Sequence, residues 1–211
     1  MKKIYLVRHG ESFANARHRL QGSTDTSLTE NGMKQALDAA KKLEGISFGS
    51  VYSGRLKRQK ETAEIIKDVL DIDAVYVTDK RLDEVDYGLL EGEKEDDVFF
   101  RMFTDFNERD IVSKIRKIGT KRLLELTAMQ DPYGTLEKPE NAFFRFCSFM
   151  EEIMKGNNLN ENILVVTSGA IASLFLQEYE WNVSTENNVI LQNGSIVKVV
   201  GEKKPESFKL I

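Results

Sequence analysis

The chain has 211 residues, 41% hydrophobic and 30% charged, with 3 Pro and 14 Gly. These values suit a folded unit with a buried core and exclude fibrous and wholly disordered chains. Thirty basic against 34 acidic side chains leave a formal net charge of -4, which disfavours general coating of nucleic acid and demands that any phosphate site be locally basic. Cys147 is the single cysteine, so no internal disulfide forms. With two histidines it offers few zinc ligands, and neither a metal nor a cofactor is expected. A reducing, cytoplasmic setting fits best. Met1, Lys2 and Lys3 lead through a short apolar run straight into Arg8, which does not read as a targeting segment. The longest mostly apolar stretch, 163–176, is broken by Thr167, Ser168 and Ser173 and falls short of the about 18 residues a membrane span needs.

In chain order, residues 4–7 read as a buried strand opening into a polar loop at 10–26. Residues 28–43 follow with helical periodicity in Met33, Ala36, Leu37, Ala40 and Leu43. Ser27 or Thr29 can cap that helix and Gly45 can end it. A strand at 50–53, a helix from about 56 to 70 burying Ala63, Ile66 and Leu70, and a strand at 74–78 complete the first half. Strands alternating with helices call for an α/β fold, a three-layer αβα sandwich around a mostly parallel sheet with helices on both faces. From about 95 to 138 the alternation stops. Phe99, Met102, Phe103 and Phe106, then Ile111, Ile115, Ile118 and Leu126, recur at helical spacing, which predicts a helical cap insertion over the rim of a single domain spanning 1–211. A helix at 140–155, a strand at 163–167, a helix from 169 to about 179 and a closing pair at 195–200 and 207–210 finish the chain.

Ligands of parallel sheets gather beyond the carboxyl ends of the strands. Arg8, His9, Gly10 and Glu11 follow the first predicted strand, Ser53 and then Arg58 the second, Arg81 and Glu84 the third, and Thr167, Ser168 and Gly169 the fourth. Guanidinium forks and the N–H groups of glycine-containing loops and helix starts suit a phosphoryl dianion. Neighbouring cations oppose protonation of His9, leaving a lone pair for attack on phosphorus. A bound phosphate favours the acid form of Glu84, which can then protonate a leaving alcohol. Taken alone, Arg58 reads equally as a solvated arginine of a basic stretch, and Asp83, Asp86 and Glu91 rival Glu84. The Phe99, Phe103 and Phe106 stripe reads as helix core rather than a substrate wall. The glycine spacings of a nucleophile elbow, a P-loop and a dinucleotide fold are absent.

Three motifs in order carry a resemblance. They are Leu6-Val7-Arg8-His9-Gly10-Glu11-Ser12 with Asn15, Arg19-Leu20-Gln21-Gly22 and Leu28-Thr29-Glu30; Ser53-Gly54-Arg55-Leu56-Lys57-Arg58 with Thr62-Ala63-Glu64; and Leu82-Asp83-Glu84 with Gly88 and Glu91-Gly92. The chain resembles the histidine phosphatase superfamily, also called the phosphoglycerate mutase-like family. The resemblance implies that His9 is the residue phosphorylated, Arg8 and Arg58 the phosphate clamp, and Glu84 the proton donor. By the same resemblance Asn15, Gln21, and the Gly22-Ser23 loop complete the phosphate pocket, and Ser168 with Gly169 flank it. The implied partner is a small phosphorylated metabolite, with a homodimer as one mode of assembly, and with neither nucleic acid nor membrane.

Family members usually carry a second histidine where this chain has Ser168. A serine brings no positive charge, and by analogy with a lost oxyanion donor the rate falls on the order of 10²–10³-fold. Three readings stay open: an enzyme silenced by a deliberate replacement, a natural member of low activity, and a protein that binds phosphate esters without turning them over. The expected activity is that of a phosphatase impaired at Ser168, with a phosphoglycerate mutase-like phosphotransferase as the alternative.

Overall fold

A computed structural model of the chain describes residues 1–103, 108–156, 161–179, 190–202 and 204–211, without the side chains of 108–116. Strand β1 (Lys2–Arg8) sets the frame, because alternate residues of a strand point to opposite faces. Ile4 and Leu6 enter one apolar cluster while Tyr5 and Val7 enter another. Strands β2 (Ser50–Ser53), β3 (Val75–Thr78) and β4 (Asn162–Thr167) join it in parallel, in the order β3-β2-β4-β1. Strands β5 (Ile196–Gly201) and β6 (Pro205–Leu210) extend the sheet antiparallel beyond β1. The sheet is thus mostly parallel, and the register Arg8 to Thr167 and Ser53 to Val166 brings three strand ends level at one rim.

Helices α1 (Glu30–Lys42) and α2 (Lys57–Val69) cover the Tyr5 and Val7 face, through Ala39, Ala40, Ala63 and Ile66. Thr29 caps α1, its hydroxyl oxygen accepting from the Gly32 N–H at 3.0 Å. Gly10 and Gly32 stand back to back: a Cβ on Gly10 would come within 2.2 Å of the Gly32 carbonyl oxygen. Two glycines therefore let the loop after β1 pass against the start of α1. Met33 and Leu37, expected inside, are 44% and 40% exposed. Alanines 36, 39 and 40 set the contact face, and their small side chains draw the helix close to the sheet and leave its larger residues on the flank.

The opposite face is covered by α5 (Pro139–Lys155) and α6 (Gly169–Glu178), with Phe146, Phe149 and Phe175 against Ile4, Leu6 and Val165. Between β3 and β4 lie α3 (Glu95–Met102) and α4 (Glu108–Ala128). No strand occurs among the described residues of this interval. Helix α3 ends before Phe103, so the four-residue periodicity does not run on as one helix. Phe106 and the side chains of Ile111 and Ile115 lie outside the described residues. Gly119, at φ 75° and ψ 169°, breaks α4 with a positive φ that favours glycine, and the Thr120 N–H donates to Gln177 of α6 at 2.7 Å. Among the described residues no helix is long and apolar enough to cross a membrane.

Phe146 is fully buried, its ring centroid 5.1 Å from that of Phe175, while its neighbour Phe144 is 68% exposed. Phe146→Ala is expected to lower stability by about 3–5 kcal/mol, and Phe144→Ala by less than about 1 kcal/mol. Urea denaturation of the two variants, compared at equal slope, checks the assignment.

Candidate active site

Strand β1 delivers His9 to the rim, where its N–H extends the sheet by donating to the Thr167 carbonyl at 3.0 Å. The imidazole is 2% exposed. Its Nδ1 lies 2.7 Å from the Gly10 carbonyl oxygen, so Nδ1 carries the hydrogen and donates. Nε2, left with its lone pair, accepts from Arg58 Nε at 3.2 Å. Burial first, and then the positive charges of Arg58 and Arg8, hold the His9 pKa well below its usual 6.5, against a smaller upward pull from the Gly10 carbonyl. The ring is therefore neutral at pH 7, with desolvation ahead of the cations in keeping it so.

Arg58, from the first turn of α2, is 1% exposed. Besides His9 it donates to the carbonyls of Thr24 at 3.0 Å, Gly22 at 2.9 Å and Gln21 at 3.3 Å, and lies 3.6 Å from Asp25. Expected as part of the phosphate clamp, it also fastens the 21–25 loop onto the histidine. Arg8 is the freer cation. Its terminal nitrogen donates to the Leu191 carbonyl, while Nε is shielded from solvent without a hydrogen-bond partner. A Cβ on Gly169 would lie 2.7 Å from the Arg8 guanidinium carbon, so the glycine makes room for Arg8.

Glu84 is 8% exposed and accepts three backbone N–H groups, from Val85 at 3.0 Å, Ala170 at 2.9 Å and Ile171 at 2.9 Å. The start of α6, expected to face a phosphate, is thus occupied by a carboxylate, the charge a helix N-terminus favours. The amides of the Gly22-Ser23 loop, expected in the phosphate pocket, are paired with a carboxylate in this structure: Glu91 takes the N–H groups of Gly22, Ser23, Thr24 and Tyr87 at 2.8–3.1 Å. Asn15 and Gln21 do reach the site. Gln21 is fixed by Ser12 at 2.6 Å and Thr26 at 2.9 Å, and Asn15 receives the Ser12 N–H at 3.2 Å. Arg81, expected at the rim, pairs with Asp79 at 2.6 Å and Glu152 at 2.8 Å.

Ser168 directly follows β4 and occupies the N-cap position of α6. It is fully buried, and its hydroxyl oxygen accepts from Gln59 Nε2 at 2.9 Å. The same amide donates to the Leu82 carbonyl at 2.9 Å and accepts from the Leu56 N–H at 3.2 Å.

Two adjoining chambers open beside His9. A small one of about 50 Å³ is walled by His9, Arg8, Gln21 and Glu84. A larger one of about 740 Å³ shares Arg8, Asn15 and Glu95 with it and runs out to Phe99 and Leu123. Phe99, Met102 and Phe103 pack against Leu123 as the stripe suggested, and Phe99 in addition borders the large chamber. Ser168, Gly22 and Ser23 border neither chamber.

Sequence reasoning missed three supports. Arg145 of α5 donates to the carbonyls of Arg81, Asp83 and Glu84 at 2.7–2.9 Å and pairs with Glu137, which fixes the segment carrying Glu84. Asn193 donates to the His9 carbonyl at 3.0 Å. Gln59 holds Ser168. None has a sequence signal beyond its type, because each acts on a backbone or side chain distant along the chain.

Comparison with known proteins places these features in a family. Residues 4–211 match the profile of the histidine phosphatase superfamily, branch 1. A 2,3-bisphosphoglycerate-dependent phosphoglycerate mutase from Dichelobacter nodosus is 46% identical over 95 residues, 44% of this chain and 39% of that protein. The curated relatives are thus matched over about two fifths of their own length. A phosphoglycerate mutase structure from Bacillus anthracis superposes with a TM-score of 0.82 at 24% identity, covering 99% of this chain and 91% of that one. A phosphoserine phosphatase from Entamoeba histolytica, bound to 3-phosphoglyceric acid, superposes with a TM-score of 0.69 at 25% identity, covering 99% and 96%.

Two expectations follow from the geometry. Because the unfolded chain protonates its histidine near pH 6.5 and folded His9 only well below that, the unfolded state binds more protons in the interval between. Stability therefore falls as pH drops through it. Thermal melts between about pH 7.5 and 5.5 should show a smaller loss in His9→Gln than in the unaltered protein. Arg58→Ala, which strips the carbonyls of Gln21, Gly22 and Thr24 of a donor, should cost about 2–4 kcal/mol. Arg8→Met, removing a buried charge with an unpartnered Nε, should cost less than about 1 kcal/mol; urea denaturation measures both.

Proposed function

Because the chain belongs to the histidine phosphatase superfamily, we propose that it is a phosphomonoesterase acting on a small phosphorylated metabolite through a phosphohistidine on His9. The observation that carries this is a buried, neutral imidazole whose Nδ1–H is locked on Gly10 and whose Nε2 lone pair is held by Arg58, beside a chamber walled by Arg8 and Glu84. An arriving phosphoryl oxygen draws the Arg58 N–H onto itself and frees Nε2. The lone pair attacks phosphorus and the bond to the ester oxygen breaks; the bound dianion favours the acid form of Glu84 against the α6 amides that hold it as a carboxylate in the empty site, and Glu84 then gives that oxygen its proton. Water then attacks the phosphohistidine, Glu84 takes back a proton, phosphate departs and the neutral ring returns. Arg8, with its unpartnered Nε, carries charge that develops on the oxygens.

Ser168 supplies none of this charge. Its hydroxyl belongs to a packed trio with Gln59 and the Leu82 carbonyl, all fully buried at the side-chain positions. That mutual fit supports an arrangement in which serine and glutamine belong together, rather than one residue altered in an otherwise unchanged site. The second reading, a phosphoglycerate mutase, is favoured by the names of the curated relatives, over less than half of this chain.

Hydrolysis of an aryl phosphate and an acid-labile phosphoenzyme on His9 are expected, the phosphoenzyme disappearing in His9→Ala. Its persistence there, or binding of esters without turnover, would overturn the assignment. Ser168→His alone has no room beside Gln59 and should lose about 1–3 kcal/mol without a gain in rate. Gln59→Ala combined with Ser168→His should raise the rate on the order of 10²–10³-fold.

A further inference from the structure

We infer that the large chamber beside His9 selects phosphate esters whose body is apolar and bears no second negative charge, and that Glu95 enforces this selection. The inference deepens the phosphomonoesterase reading and rests on it. A chamber of about 740 Å³ is far larger than a phosphoryl group needs, and that size suits an organic substituent. Much of its wall is apolar: Leu20, Phe99, Leu123, Leu124 and Ile190.

The charged wall decides what else can enter. Among the described residues it comprises Arg8, His18, Glu11 and Glu95. Arg8 also lines the small chamber and is committed to the phosphoryl group. Glu11 is engaged, accepting from the Thr29 hydroxyl at 2.7 Å. Glu95 has no side-chain hydrogen bond among the described residues, and it faces both chambers at the place where a substituent leaves the phosphate.

Its backbone is tied to the 18–20 segment. The Glu95 N–H donates to the His18 carbonyl at 2.9 Å, Lys94 bridges Arg19, and the Leu20 N–H donates to the Glu93 carbonyl at 2.9 Å. Burial pushes its carboxyl group upward in pKa while Arg8 and His18 pull it down. A carboxylate or second phosphate on a substituent in the large chamber would therefore meet Glu95 where the described wall of that chamber has no guanidinium or ammonium group besides Arg8, Arg19 bordering only the small chamber. A hydroxyl or ammonium would instead find an acceptor. Phosphoglycerates, which carry a carboxylate next to the phosphate ester, fall on the disfavoured side.

Two aryl phosphates that share a ring and differ only in the distal charge test this: O-phosphotyramine, with an ammonium, and 3-(4-phosphonooxyphenyl)propionate, with a carboxylate. The unaltered protein should prefer the first by about 10²-fold in kcat/KM. Glu95→Gln should shrink the ratio to within about 3-fold, chiefly by lowering KM for the carboxylate ester, and Glu95→Lys should invert it. Equal use of the two esters by the unaltered protein, or a ratio untouched by Glu95→Gln, overturns the inference. Hydrolysis of neither ester would sink the phosphomonoesterase reading instead. Calorimetric binding of the same pair to the unaltered protein and to Glu95→Gln then decides the charge selection by the same criterion.

Discussion

A single buried guanidinium organises the site. Arg58 reaches from the first turn of α2 to the Nε2 lone pair of His9, and its other nitrogens gather the carbonyls of Gln21, Gly22 and Thr24. A fork of five N–H donors can satisfy a histidine and a loop together only if it is removed from water and held flat. In return, burial and the nearby charge keep the imidazole unprotonated. The His9 Nε2, the loop beside it and the first turn of α2 are therefore joined through one side chain.

Two carboxylates do for the backbone what Arg58 does for the carbonyls. Glu84 collects the N–H groups at the start of α6, and Glu91 collects those of the 22–24 loop and Tyr87. Anions at such positions offset the partial positive charge of unpaired amides. These amides are consumed by the protein, and the positive charge beside His9 comes from the side chains of Arg58 and Arg8. Arg8 is left as the cation with spare donor capacity, backed against Gly169 and open to both chambers. Charge balance in the larger chamber is then set by few groups, which is why one carboxylate at the start of α3 carries so much weight.

Much of the fold was legible along the chain, for reasons local to each element. The apolar run at β1, the strand at β2, the Thr29 cap and the Phe146, Phe149 and Met150 face of α5 follow from period and capping chemistry, which depend on neighbours in sequence. Met33 and Leu37 were misjudged because a helix of small residues can present its alanines to the sheet, a choice made by packing and not by hydrophobicity alone. The stripe at Phe99 and Phe103 does pack against Leu123, but its Phe99 end also borders a cavity. Periodicity marks a face but does not say whether that face meets core or cavity, and a break such as Gly119 is invisible until the backbone is seen.

By itself the sequence determined which reactive groups follow the parallel strands, His9 and Arg8 after β1 and Ser168 after β4, because strand order and alternation leave little freedom there. Only the tertiary structure decided what those groups touch. Hydrogen bonds between residues dozens of positions apart assigned Arg58 to the loop carbonyls, the α6 amides to Glu84 and Ser168 to Gln59. Such partners are selected by distance and direction in space, and spacing along a chain carries neither.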